Sequence, residues 1–371
     1  MIDLISIKNF KALKSAQFSL SNLNIIAGVN SVGKSSFIQS LLLLRQSYEN
    51  NLITKGLLLN GEYAQLGTGS DVLNQDTEDD QIAFFIKFHE LNKKTIFSYD
   101  YQYYSDMLPL SDSADIGLES KFADTTLFSD TKFKYLSADR YGPQDNYKAS
   151  HYNVEVKKSI GIYGEYTPHF ICNNASKQIF NEKLKHDKAK DHSLINNINA
   201  WLSEISPNIS FTVEEDTRTN SVYLNYSVQK NKLMPRRNIK PKNVGFGLSI
   251  ALPVLTLLLN SEPDDLIIIE NPEAHLHPYA QSIIGRLCAA AASNGTQIIL
   301  ETHSDHVVNG VRIAVKQGLI SNDLASIFYF EPNDNWSSPI ITKTIIDQDG
   351  RLDVWPKGFM DQWDNELDEL L

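Results

Sequence analysis

The chain has 371 residues, 42% hydrophobic and 21% charged, which is enough for a sizeable core and for roughly two domains. Its 34 Lys+Arg stand against 45 Asp+Glu, a net charge of -11, which excludes a strongly basic nucleic-acid coat and leaves any such contact to a local basic patch. Two cysteines, Cys172 and Cys288, are too few for a disulfide framework or a four-cysteine zinc site, and fit a reducing cytoplasm. No secretory leader opens the sequence, and apolar runs such as residues 41–44 and 266–269 fall short of a membrane span, so the expectation is a cytoplasmic protein without membrane contact.

Two short strands, residues 4–7 and 16–20, precede a third, 23–27, that runs directly into a glycine loop. A helix follows over 35–48, where Phe37, Leu41, Leu44 and Tyr48 recur at helical spacing. Residues 56–139 alternate in short segments, among them 81–89 and 95–104, and predict an antiparallel sheet. The Lys-rich stretch 174–204 has no Gly or Pro and is helix-compatible, but it lacks sustained apolar heptads, so it predicts a short helical lid and not a long coiled coil. Residues 210–228 alternate again. Beyond Pro241 the order is helix 247–260, buried strand 266–270, helix 278–293, strand 297–301 and a helix after Ser304. This divides the chain into residues 1–143, an inserted subdomain at 144–240, and residues 241–371.

Gly28, Val29, Asn30, Ser31, Val32, Gly33, Lys34 and Ser35 match GxxxxGK[ST] at every position, between a strand and a helix. Such a loop turns successive N–H groups toward phosphate oxygens. The helix adds its positive end, Lys34 reaches the β- and γ-phosphates, and Ser35 offers a hydroxyl to magnesium. The strand 266–270 ends in Glu270, placed as a carboxylate that holds magnesium through water opposite a phosphate loop. A second buried strand leads to His303, a candidate sensor of the γ-phosphate. The expected cofactors are ATP and Mg2+.

At these residues the chain resembles an ABC-type ATPase head of the SMC and OLD-like class: Asn9-Phe10-Lys11, the phosphate loop, Gly245-Phe246-Gly247-Leu248-Ser249, the IENPEAHLHP block over 269–278 and ETHSDH over 301–306. A prokaryotic branch of that class also shares the segments 135–143 and 355–359 (WPKGF). The resemblance implies an α/β fold, a P-loop ABC-type head with a mixed sheet and flanking helices, plus an antiparallel β lobe and an inserted α+β lid. It further implies nucleotide contacts at Lys11 and Ser36, and head-to-tail dimers or higher homo-oligomers in which Gly245, Gly247 and Ser249 act across the interface. Gly245 and Gly247 also fit an ordinary helix-start turn. Members of the branch are often encoded beside phage-defence or mobile-element genes, which implies a defence setting and an effector protein from a neighbouring gene.

ABC heads usually place a glutamate after the magnesium carboxylate, and here that position is Asn271, whose amide cannot accept a proton. Asn271 then orients water, or Glu273 serves as base, so hydrolysis is expected to be slow or partner-activated. Glu273 also fits a first-turn helix acid. The alternatives are a non-hydrolysing, ATP-locked scaffold and, further off, an OLD-like nuclease, which is expected to need a second acidic domain beyond His306, where Asp347 and Asp349 are too slight a carboxylate pair. The pairs His275/His277 and His303/His306 fall where such heads place a dimer loop and the switch histidine, which argues against a separate metal site there.

Lys230, Lys232, Arg236, Arg237, Lys240 and Lys242 form an acid-free basic run, the nucleic-acid candidate, and a solvated loop explains it nearly as well. Arg140 reads either as a guanidinium that reaches phosphate or the acidic block or as a structural ion pair. The tail from Asp361 reads as an amphipathic helix.

Overall fold

Alternation in Ile2–Phe10 (β1) buries Ile5 and Ile7, and the chain reverses through Asn9 and Lys11, both at positive φ (59° and 49°), into Leu13–Ser19 (β2). The computed structural model describes residues 1–91, 94–117, 119–228, 237–333, 338–355, 359 and 362–370. The chain divides into two units. The first comprises Met1–Phe133, Ser326–Ile345 and Leu352–Leu371, and the second Lys134–Ala325 with Ile346–Arg351.

In the first unit Leu23–Gly28 (β3) is buried at all six positions and leads to Lys34–Glu49 (α1), whose apolar residues are nearly all buried. Gly56–Leu58 (β4) follows, then Gly69–Val72 (α2), which Thr68 and Asp71 cap reciprocally. Gln81–Phe88 (β5), Thr95–Asp100 (β6) and Met107–Pro109 (β7) complete the lobe. The order β2-β1-β5-β6 is antiparallel at each pairing, so the expected antiparallel sheet also takes in the two opening strands. Its core is aromatic, with Phe10 and Phe84 edge to face at 5.4 Å.

The second unit opens with Phe133–Leu136 (β8) and Tyr147–Lys148 (β9). Thr167–Asn174 (α3) and Leu194–Ile205 (α4) precede the antiparallel strands Ile209–Asp216 (β10), Ser221–Val228 (β11) and Arg237–Ile239 (β12), with β9 paired to β11. Then come Phe246–Leu259 (α5), Leu266–Glu270 (β13), Pro278–Ala292 (α6), Gln297–Glu301 (β14) and Asp305–Lys316 (α7). β13 and β14 are parallel, with β8 on the other side of β13. Leu266 to Ile269 are fully buried, as an apolar run flanked by strands and helices should be.

The helix-compatible stretch 174–204 is helical only over α4, apart from a short turn at Glu182–Leu184. Side-chain amides compete for the backbone there. Asn181 donates to Ala290 O at 2.7 Å and accepts from Lys183 N at 3.0 Å, and Asn197 accepts from His186 N at 2.9 Å. Each satisfies main-chain groups that a helix would otherwise need.

The chain re-enters the first unit as the antiparallel pair Ala325–Glu331 (β15) and Ile340–Ile345 (β16), with β15 beside β3, and ends in Gln362–Leu370 (α8), the expected tail helix.

Lys134 on β8 and Asp265 at the foot of β13 form a buried ion pair at 2.7 Å, each side chain 6% exposed. Burial pushes the lysine down and the aspartate up, so each ion depends on the other. Lys134→Ala is expected to destabilise the protein by about 3–5 kcal/mol, whereas Lys134→Met combined with Asp265→Leu recovers most of the loss; urea unfolding checks both.

Candidate functional site

The glycine loop of the first unit is shaped by its own neighbours. Gly28 has φ 138°, and a Cβ there would lie 2.2 Å from Phe330 O. Gly33 has φ 103° and would press on Ala12 Cβ at 2.9 Å, so both positions require glycine. Ser31, at φ 63°, completes the curl. Val29, Asn30, Ser31 and Ser35 are exposed, whereas Val32, Lys34 and Ser36 are buried.

Lys34 bends back over the loop, donating to Gly28 O at 2.9 Å and Val29 O at 2.5 Å. α1 starts at Gly33 with no side-chain cap and no acid in its first turn, which leaves its leading N–H groups to an anion. Lys11, whose ammonium is pushed down by burial, donates to Gln39 Oε1 on α1 at 2.8 Å. These donors fit a polyphosphate, and the Ser35 hydroxyl is the kind of hard oxygen that magnesium takes.

The second unit gathers the acidic residues. Glu270 Oε1 accepts from the Tyr135 hydroxyl at 2.9 Å, and the Glu270 main-chain oxygen accepts from Arg140 Nη2 at 2.5 Å. Burial pushes the Glu270 carboxyl up, against Tyr135 and the Ala138 N–H, which hold it down. Burial also raises the Tyr135 phenol, so it stays a donor, and pulls Arg140 down to about 10. Among the described residues, Arg140 Nε and Nη1, Asn271 Oδ1 and Glu273 Oε2 are buried without a hydrogen-bond partner. Glu273 Oε1 accepts from His303 N at 2.8 Å, and burial raises this carboxyl as well. Glu270, Glu273, Arg140, Tyr135 and the exposed His303 therefore form one cluster. Arg140, read from the sequence as a guanidinium that could reach phosphate or the acidic block, lies at the acidic block; Tyr135 is the residue that sequence reasoning left out of the site, and a tyrosine in the strand just before that arginine was the available signal.

Gly245 and Gly247 differ. Gly247 touches the turn after β13, where a Cβ would sit 2.5 Å from His275 O, while Gly245 caps α5 with open space around it. Ser249 is only 6% exposed, and its hydroxyl is out of contact with solvent. Of the basic run, Arg237, Lys240 and Lys242 are exposed, with Lys242 paired to Asp145 at 2.6 Å. Lys230, Lys232 and Arg236 lie outside the described residues, as do Pro356, Lys357 and Gly358 of the WPKGF segment and Asp361 at the start of the tail.

A glycine loop capping a helix, and buried parallel strands ending in carboxylates, define a P-loop nucleotide-binding protein of mixed α/β class. The chain belongs to the AAA ATPase domain family, whose model matches residues 1–174 and 170–308. Residues 320–370 match a second family, described as protein of unknown function (DUF3696). Among solved structures it is similar to an SMC head bound to the C-terminal winged-helix domain of ScpA, at 12% identity over 94% of this chain and 98% of that one, TM-score 0.57. It is also similar to the Pyrococcus furiosus Smc head with an extended coiled coil bound to the C-terminal domain of ScpA, at 10% identity, 100% and 99% coverage and TM-score 0.54. No curated protein matches the chain. The fold is that of an SMC-type ATPase head, with a mixed sheet, flanking helices and antiparallel sheets. Among the described residues no helix is long and apolar enough to cross a membrane.

Two outcomes follow for stability. The folded protein holds the protons of Glu270 and Glu273 more tightly than the unfolded chain, so their contribution is full below the unfolded carboxylate value, about 4.3, and is lost as pH rises through the raised one. Glu273→Gln, which keeps an oxygen for His303 N, should therefore be more stable than wild type at pH 8, with the gap closing toward pH 4 in urea titrations. Gly247→Ala should cost about 1–3 kcal/mol while Gly245→Ala stays near neutral, read by the same unfolding curves.

Proposed function

We propose that the protein is an ATP-driven switch, a slow, magnesium-dependent ATPase whose heads dimerise on ATP. The observation that carries this reading is the loop of Gly28, Val29, Asn30, Ser31, Val32, Gly33, Lys34 and Ser35 at an uncapped helix start, with Lys34 resting on loop carbonyls that it would exchange for phosphate oxygens. Lys34, Lys11 and the N–H groups through Ser36 would bind phosphate, and the Ser35 hydroxyl and the Glu270 carboxylate are the oxygens that would be offered to magnesium, which would supply charge neutralisation. Glu273 acts as the base. One of its oxygens is fixed by His303 N–H and the other has no partner among the described residues, and burial raises its carboxyl, which strengthens it as a proton acceptor. His303 contacts the γ-phosphate, and Asn271 orients the water.

In a dimer, the start of α5 faces the partner's nucleotide. Gly245 supports this, because nothing among the described residues requires glycine there, while Gly247 and Ser249 anchor the helix behind it. Residues 144–240 form the inserted subdomain that transmits closure from the head halves 1–143 and 241–371 to nucleic acid or to a protein effector encoded by a neighbouring gene. The basic residues Arg237, Lys240 and Lys242 are exposed for the former, and the ScpA-bound SMC heads are the model for the latter. The role in defence against phage or mobile elements rests on the family resemblance, and the cytoplasmic setting on the two cysteines and the short apolar runs. Asn271 favours a second reading, a scaffold locked with ATP that does not hydrolyse it.

Steady-state ATP hydrolysis with magnesium separates the two. Turnover that disappears in Lys34→Ala, along with nucleotide affinity, and falls on the order of 10²–10⁴-fold in Glu273→Gln is the expected result. Retained ATP binding with no turnover in wild type would replace the ATPase by the locked scaffold. Full nucleotide affinity in Lys34→Ala would sink both.

A further inference from the structure

A second cluster of the second unit is built from three separate stretches of chain and plays no part in the nucleotide reading. His151, just before the turn at Tyr152–Val156, His169 on α3 and Glu215 on β10 bring three ligand atoms within 4.8 Å of one another. His151 Nε2 is 3.5 Å and His169 Nε2 is 3.7 Å from the same Glu215 oxygen. Both separations are too long for a good hydrogen bond. They are close to the edge of a tetrahedral zinc site, roughly 3.3–3.5 Å for bonds of about 2.0–2.2 Å.

The cluster also lacks internal partners. His169 is fully buried, and both its Nε2 and Glu215 Oε1 are without a hydrogen bond among the described residues. Behind His151 stands an outer carboxylate: Nδ1 lies 3.1 Å from Glu155 Oε1, which also accepts from Asn173 Nδ2 at 3.2 Å. That arrangement fixes the proton on Nδ1 and turns the Nε2 lone pair inward, as carboxylates do for metal-bound imidazoles.

We propose that His151, His169 and Glu215 bind one divalent transition-metal ion of the zinc type. The two imidazoles select it over magnesium or calcium, which prefer all-oxygen shells, and water completes the fourth position. One hydrogen bond opposes loading. Ser150 N donates to His169 Nδ1 at 3.1 Å, which in the neutral ring leaves the proton on Nε2. When the ion takes the Nε2 lone pair, that proton moves to Nδ1 and the Ser150 bond opens. Occupancy is thereby coupled to the segment after Ser150, and the ion ties that segment to α3 and to β10.

The test is zinc chloride titrated calorimetrically into the full chain, prepared without a histidine tag and stripped with chelator, alongside magnesium chloride. The expected result is one zinc per chain, no comparable magnesium heat, and a loss of at least about tenfold in affinity in both His151→Gln and Glu215→Gln. The His151 side chain is 57% exposed, so its replacement keeps the fold, which a melting curve verifies. No zinc uptake by wild type, or uptake unchanged in His151→Gln, would overturn the assignment. Neither result bears on ATP binding.

Discussion

The charged ends of β13 are the constraint around which the second unit is arranged. Four fully buried aliphatic residues place Asp265 at one end and Glu270 at the other, so a strand that belongs in the core brings two carboxylates with it. Burying a carboxylate unpaired is costly, and partners must come from elsewhere in the chain. A single segment supplies them. Lys134 meets Asp265, the Tyr135 hydroxyl meets Glu270, and Arg140 takes the Glu270 main-chain oxygen, so residues 134–140 neutralise β13 from foot to head. The neutralisation is incomplete at the head, where Arg140, Asn271 and Glu273 retain unpartnered buried atoms. Structural pairs close their hydrogen bonds, whereas groups that await a ligand leave some open.

What could be read from the sequence was local. The phosphate loop declares itself because each of its residue types has a separate reason to be there, and strands β13 and β14 declare themselves because a buried parallel strand is a short unbroken apolar run. The partnership of Tyr135 with Glu270 spans 135 positions and left no periodic trace. Residues 175–193 misled for a different reason. Their composition permits a helix, but Asn181, Asn197 and Asp191 bind main-chain groups that the helix would need, and such competition depends on tertiary placement that propensity does not contain. The His151, His169 and Glu215 cluster was hidden similarly, since its members are 18 and 46 positions apart and only the fold joins them.

Glycines illustrate how structure separates packing from ligand recognition. Gly28, Gly33 and Gly247 each sit where a Cβ would collide with a neighbour in the same chain, so their presence is accounted for without any ligand. Gly245 has no such neighbour. A sequence pattern treats Gly245 and Gly247 alike, yet only the first is left for something outside the chain to explain.

Asn271 can be understood in the same terms. It has φ 43°, its N–H donates to Glu301 O at 2.9 Å, and its carbonyl accepts from Ala274 N at 3.2 Å, so it opens a tight turn immediately after β13. Left-handed backbone is tolerated by Gly, Asn and Asp and is unfavourable for longer side chains. A glutamate at 271 would be strained by the turn, whatever its chemical merit. The same turn brings Glu273 against His303 N–H with its second oxygen open. The amide at 271 and the carboxylate at 273 are thus two aspects of one backbone conformation. In the proposed ATPase reading, the backbone turn itself moves the candidate base from 271 to 273, where burial raises its affinity for a proton.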